Sequence, residues 1–253
     1  MSLAVSGLTR RHWAVLTVTL LLWLFDGYET FVLLLTLGPS LRELLPPDQL
    51  KTLPRVAAYL ISITLFGWAV GGVVGGVIGD RIGRRKTMIG SVLLYSVFTG
   101  TSALSQSWEM LALTRFLTGA GIGAEWGVGT SLLQEMWPER LRTKAAGILQ
   151  AAFSGGFVLA SVLWLIIGGW YGGSWRWLYL AGILPALVVA LSGKSIPEST
   201  RWTQRIPSIG DIGAMLGAHR RILVICVIVS ISITVGFWAI SSWVPTYTRR
   251  PDR

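Results

Sequence analysis

Cysteine occurs once in this chain of 253 residues, at Cys226 inside an apolar run. No internal disulfide can form, and a lone thiol in such a run reads as a small buried hydrophobe. Histidine occurs twice, at His12 and His219, and neither has metal-ligand spacing around it, so no metal site is expected. Charge is scarce as well: 13% of the residues are charged, against about 25% in a soluble domain. No nucleophile triad, phosphate-binding glycine loop or low-complexity tract is present. These absences argue against an enzyme, and no cofactor is expected. No cleavable leader is expected either, because the first apolar run is too long for one, holds two acids and lacks a convincing cleavage site.

What the chain does have is apolar length. It is 52% hydrophobic with a mean hydropathy of +0.60, and its polar residues fall in short blocks between long apolar runs. That pattern predicts an all-α integral membrane protein. The net charge of +10 does not point to nucleic acid, because the basic residues cluster at the ends of apolar runs, where they set topology. Seven spans are predicted, over 12–37, 54–79, 87–104, 108–137, 145–170, 175–191 and 222–244. Fourteen Lys and Arg residues fall on the side of Arg10, Arg84 and Arg142, and seven on the other. The N-terminus is therefore expected in the cytoplasm and the C-terminus outside. The long polar stretch 194–221 reads as a cytoplasmic linker between a six-span unit, 1–193, and a seventh span with an outer tail, 222–253. Trp13, Trp108, Trp137, Trp170 and Trp175 sit at span ends and read as interface anchors.

Two acids interrupt the first span, in "WLFDGYETFVLLL". Asp26 and Glu29 are three residues apart and share a helix face. A carboxylate at mid-bilayer costs about 2.5–3.5 kcal/mol on insertion scales. At about 1.5 Å per residue, Glu29 and Arg115 of the antiparallel fourth span lie at comparable depth, with Asp26 slightly deeper and Glu125 about 15 Å beyond Arg115. Four ionisable groups in two spans predict a water-accessible cavity, with a structural ion pair of Arg115 with Glu29 or Asp26 as the plainer alternative. The functional reading gives proton binding to Asp26, Glu29 and Glu125, and anion binding to the fork of Arg115. Tyr28, Trp126 and Gln150 are candidate substrate contacts, each also explicable by helix packing.

The segment "GVIGDRIGRRK" combines glycines at 71, 72, 75, 76 and 79, spaced to make a smooth helix face, with Asp80 at the helix end. Asp80 can cap a neighbouring helix or pair with an arginine. The spacing Gly76, Asp80, Arg81, Gly83, Arg84, Arg85 resembles the loop 2–3 signature of the major facilitator superfamily. "RFLTGAGIGAEWG", "PERLRTKA", "PESTRW" and "GFWAISSWVPTY" follow in the order of that family's helix four, the loop after it, the stretch after helix six and helix seven. "DGYE" and "GAEW" look most like its aromatic-acid and sialate proton-symporter branches, with Glu29 where the aromatic-acid branch has Asp. The resemblance implies the six-helix N-terminal half of a twelve-span fold plus helix seven, with helices one and four lining a central cavity. It further implies a gate network of the loop 2–3 residues with Glu139, Arg142 and Glu198, and an absent helix eleven that Asp80 would face. The implied function is symport of an organic anion with protons in a bacterial inner membrane. The implied partners are that anion, protons, the lipid bilayer, and a missing C-terminal half or a second copy; nucleic acid is not among them. The competing reading is a non-transporting fragment or a half that needs a partner; sugar or drug transport is a further alternative.

Overall fold

In the computed structural model, the described residues are 8–170, 174–192, 196–199, 202, 213 and 217–248. Among them the chain is helical and has no strand. It divides into two compact units, Met1–Gln204 and Arg205–Arg253.

The first unit contains α1 (Arg10–Leu44), α2 (Leu53–Ile82), α3 (Arg84–Ser102), α4 (Trp108–Met136), α5 (Arg142–Trp170), α6 (Arg176–Ala181) and α7 (Leu184–Ser192). The ends of these helices follow from local chemistry. Ser107 caps α4 by accepting the Met110 N–H at 3.2 Å. Gly83 separates α2 from α3 at φ 104°, a left-handed backbone that favours glycine. The first helix outruns its apolar stretch: it was expected to stop at Leu37 but continues through Pro39 to Leu44. Ser40 and Leu41 beyond the proline are buried, so tertiary packing extends the helix where hydropathy had ended. The sixth predicted span is two helices, not one. It breaks at Gly182–Ile183, because Pro185 has no N–H to give Ala181 and its ring opposes that carbonyl.

Two close crossings organise the unit. On α2 the buried face is Leu60, Thr64, Gly67, Gly71, Gly75 and Gly79. Any Cβ added at Gly71 would run into the Ala120 carbonyl of α4, and one at Gly123 into the Trp68 carbonyl of α2. The two backbones are in contact, as small residues at a membrane-helix interface permit. The predicted glycine face is rotated, however: Gly67 joins it, whereas Gly76 has nothing near its Cβ direction. The second crossing joins α1 to α5, where Gly27 meets the Phe153 carbonyl and Gly156 the Leu24 carbonyl.

Polarity points inward. On α3 the buried set includes Ser91, Tyr95, Ser96, Thr99 and Ser102, while Leu93, Leu94 and Val97 are exposed. A lipid solvent produces this inversion, since apolar side chains are at no disadvantage outside. Among the described residues, four helical stretches are long and apolar enough to cross a membrane by length and composition, including α1 and residues Arg220–Phe237 of α8 (Arg220–Thr248). In the second unit α8 is continuous, and Cys226 on it is exposed, not buried as expected. Of the predicted anchors, Trp13 is half exposed, but Trp137 and Trp175 are buried. The Trp175 indole donates to Glu43 at 2.7 Å, so a polar partner inside the unit claims it. The linker 194–221 lies mostly, and the tail 249–253 entirely, outside the described residues.

Candidate functional site

Among the described residues, four Asp, Glu and Arg side chains lie buried in the interior of the first unit. Asp26, Glu29, Arg115 and Glu125 are each 0–1% exposed. They form two clusters. In the first, Arg115 Nη2 lies 3.5 Å from Glu29 Oε2, and both groups meet at Thr99. The Thr99 hydroxyl donates to Glu29 Oε2 at 2.9 Å and accepts from Arg115 Nη2 at 3.2 Å. The guanidinium also lies over the Tyr179 ring, 5.0 Å from its centroid, a cation–π contact. Tyr179 is held in turn by a 2.9 Å hydrogen bond between its hydroxyl and that of Thr36. Gly182, at the break after α6, leaves room for Glu29 Oε1, which a Cβ there would meet.

The second cluster is Asp26 with Glu125, which interact electrostatically, and the Trp126 indole and Tyr95 hydroxyl lie near Asp26. None of these polar atoms makes a hydrogen bond of standard geometry. Trp126 is the hub of an aromatic wall. Its ring centroid is 5.5 Å from Trp23, 5.8 Å from Trp68 and 5.4 Å from Phe153.

All four groups are buried from the surface in this conformation. A cleft of about 460 Å³ lies elsewhere, between α2 and α4, lined by Tyr59, Phe66, Trp108 and Phe116 among others. Tyr28 is fully buried and donates to the Leu178 carbonyl at 2.7 Å, so here it ties α1 to α6. Gln150 is exposed on α5.

At the α2–α3 turn, Asp80 does not cap α3. It pairs with Arg84 at 2.6 Å, and Arg84 reaches Glu135 at 3.4 Å. The cap comes from Glu198, whose Oε1 accepts the backbone N–H groups of Arg84 and Arg85 at 2.9 and 3.2 Å. A carboxylate at a helix N-terminus also meets the positive end of the helix dipole. Trp202 Nε1 donates to the Asp80 carbonyl at 3.0 Å. Arg81 is exposed. Arg142 turns to the Trp137 carbonyl at 3.2 Å, and Glu139 opens the exposed turn Glu139–Leu141.

The profile of the Major Facilitator Superfamily matches residues 12–251. The chain belongs to the major facilitator superfamily. That family consists of membrane transporters, not enzymes. Its relatives include the sialic acid transporter NanX of Escherichia coli, 29% identical over 89% of this chain and 54% of that protein. Another is the cis,cis-muconate transport protein of Acinetobacter baylyi, 29% identical over 88% and 55%. Among solved structures, a partially occluded inward-open form of the xylose transporter XylE from E. coli superposes with a TM-score of 0.71 at 22% identity, covering 85% of this chain and 54% of that one. This likeness shows the fold. The chain spans about half the length of the curated relatives it matches.

Several residues that shape this superfamily member's charged core escaped the sequence reading: Thr36, Thr99 and Tyr179 around the ion pair, and Tyr95 beside Asp26. A signal for α3 was available. In "SVLLYSVFTGTS" the polar residues recur at helical spacing, and inside a membrane that marks the face turned to protein. Tyr179 gave no such signal, because it lies in a helix of six residues, Arg176–Ala181, too short to show a periodic polar face.

Proposed function

We propose that the chain carries the N-terminal half of a proton-coupled organic-anion symporter of the bacterial inner membrane. One observation carries this reading: three carboxyl groups and a single guanidinium occupy the described interior. With all four ionised, that interior would hold excess negative charge away from water, which is strongly unfavourable. Protons are the simplest compensation, and groups that bind protons at membrane depth are the parts a proton-coupled carrier needs. The organic-anion half of the reading is supported by relatives named for sialic acid and cis,cis-muconate. In this reading a substrate carboxylate that takes the fork of Arg115 releases Glu29 to accept a proton. Arg115 is covered by Glu29 and Tyr179 here, so that exchange requires the pair to open. Gln150 and Trp126 are the proposed substrate contacts nearer the α4–α5 surface, and the Asp80–Arg84–Glu135–Glu198 cluster is the proposed gate.

The half-length match favours a second statement: the chain by itself does not perform coupled transport. Alternating access in such folds rocks two repeats about a site between them, and this chain supplies one wall. Purified chain in liposomes under an imposed proton gradient is expected to accumulate no sialic or aromatic acid, whereas co-reconstitution with a C-terminal half from a relative restores accumulation. Gradient-driven uptake by the chain alone, abolished by Asp26→Asn, would show that one half suffices.

The membrane orientation proposed is the one set by the basic residues. Single cysteines introduced at Arg84 and Arg249, with Cys226 replaced by Ser, test it. An impermeant thiol reagent on intact cells should label the tail position and spare the Arg84 turn; the reverse pattern inverts the topology.

A further inference from the structure

We infer that Arg176 is a positioning residue for the buried Arg115: from the surface of the unit it pins the short helix α6 as a lid over that guanidinium. The inference rests on the reading of Arg115 as the anion-binding group and says what must move before an anion can reach it. Its test needs no substrate.

The need for a pin comes from α6 itself. At six residues, Arg176–Ala181, it is too short to hold its form and place without outside contacts. At its far end the chain breaks at Gly182–Ile183, so α6 is not a continuation of α7. Its inner face is Leu178 and Tyr179, both fully buried, whereas Trp177 and Leu180 are exposed. Tyr179 is the ring that covers Arg115. Whatever fixes α6 therefore fixes the cover.

Arg176 joins α6 to two other helices at once. Its Nη1 donates to the carbonyls of Ala103 and Ser105 at 2.6 and 2.9 Å, at the C-terminal end of α3 and in the turn after it. Carbonyls at such an end lack helical partners, and a cation beside them meets the negative end of the helix dipole. Its Nη2 donates to Glu43 Oε1 at 2.6 Å, in the last turn of α1. The guanidinium also lies over the Trp175 ring, 4.3 Å from its centroid, and the Trp175 indole takes the second oxygen of Glu43. An exposed ion pair alone contributes little, and the Arg176 and Glu43 side chains are 30% and 51% exposed. Here one planar fork serves two carbonyls, a carboxylate and a ring together, which a lysine cannot reproduce.

Rings carry this arrangement inward. Trp175 is buried and stands edge-on to Tyr179, with centroids 5.6 Å apart. Tyr179 in turn stacks on Arg115 and bonds Thr36. The Tyr28 hydroxyl holds the middle of α6 through the Leu178 carbonyl, but a single bond does not fix the direction of a helix. Releasing Arg176 therefore frees the lid, while the glycine-packed crossings of the larger helices stay as they are.

The experiment measures thiol labelling of the full chain in lipid nanodiscs, with Cys226→Ser throughout. One probe is Thr36→Cys, beneath Tyr179. The reference is Thr19→Cys, toward the other end of α1, fully buried and bonded only to carbonyls of its own helix. A charged, water-soluble methanethiosulfonate should modify the Thr36→Cys probe slowly. Adding Arg176→Gln should speed that modification by about tenfold or more, the scale of losing hydrogen bonds to a charged group, and leave the reference rate unchanged. Arg176→Lys, which keeps the charge without the fork, should fall between. An unchanged rate at the Thr36→Cys probe overturns the inference. Equal acceleration of both probes also overturns it, because Arg176 would then support the whole unit and not the lid. Should Arg176→Gln fail to fold, Glu43→Gln decides alone: it leaves both carbonyl contacts in place, and a rate equal to that of the probe without it overturns the inference. If the labelling succeeds but no gradient-driven uptake is found with a C-terminal half, the transport reading fails and the lid stands.

Discussion

Arg115→Ala is expected to destabilise the first unit by about 3–5 kcal/mol, the range for removing one partner of a buried ion pair. The reason is less the lost attraction than the charge left behind. Glu29 is fully buried, its Oε1 already lacks a partner, and Thr99 alone would face its other oxygen. The Tyr179 ring would lose the cation stacked on it. Arg115→Lys keeps the charge but not the fork that reaches both Glu29 and Thr99, so it should retain only part of the stability. Thermal unfolding in detergent checks the series. The diagnostic comparison is the double variant Arg115→Ala, Glu29→Gln, which should recover much of the loss because the stranded charge is gone. Equal melting of Arg115→Ala and the unaltered chain would mean that the pair contributes nothing to stability. A double variant no better than the single one would assign Arg115 to packing.

Gly71→Leu should be more damaging still, leaving no monodisperse, protease-resistant protein. Overpacking a core costs about 1–3 kcal/mol when side chains can move aside. At Gly71 the obstacle is the backbone of α4 at Ala120, which cannot move without separating the helices. The control lies five residues away on the same helix. Gly76 has nothing within 4 Å of its Cβ direction, so Gly76→Leu should stay within about 0.5 kcal/mol of the unaltered chain, as open sites do. Similar behaviour of the two variants in size exclusion and proteolysis would refute the backbone-contact account of the α2–α4 crossing.

Much of this protein was legible in one dimension. The all-α membrane class came from apolar run length, and the superfamily from the order of its motifs. The pairing of Glu29 with Arg115 was available as one of two choices from depth, because an α-helix advances a fixed distance per residue and antiparallel spans can be measured against each other. Glycines at helical spacing announced a close crossing. Their exact face was misread by one step, with Gly67 included and Gly76 excluded by the packing.

What only the tertiary structure decided was rotation about each helix axis. In water, a hydrophobic stripe reveals which side of a helix turns inward. In a bilayer both lipid and interior are apolar, so hydropathy offers little contrast between faces. Nothing in the sequence therefore showed that Asp26 turns to Glu125 while Glu29 turns to Arg115, although all four positions were singled out. Tertiary structure likewise placed Tyr179 against the guanidinium and made Glu198 and not Asp80 the cap of α3. Depth is set by the chain's own geometry and can be counted; facing is set by neighbours, and it exists only once the helices have packed.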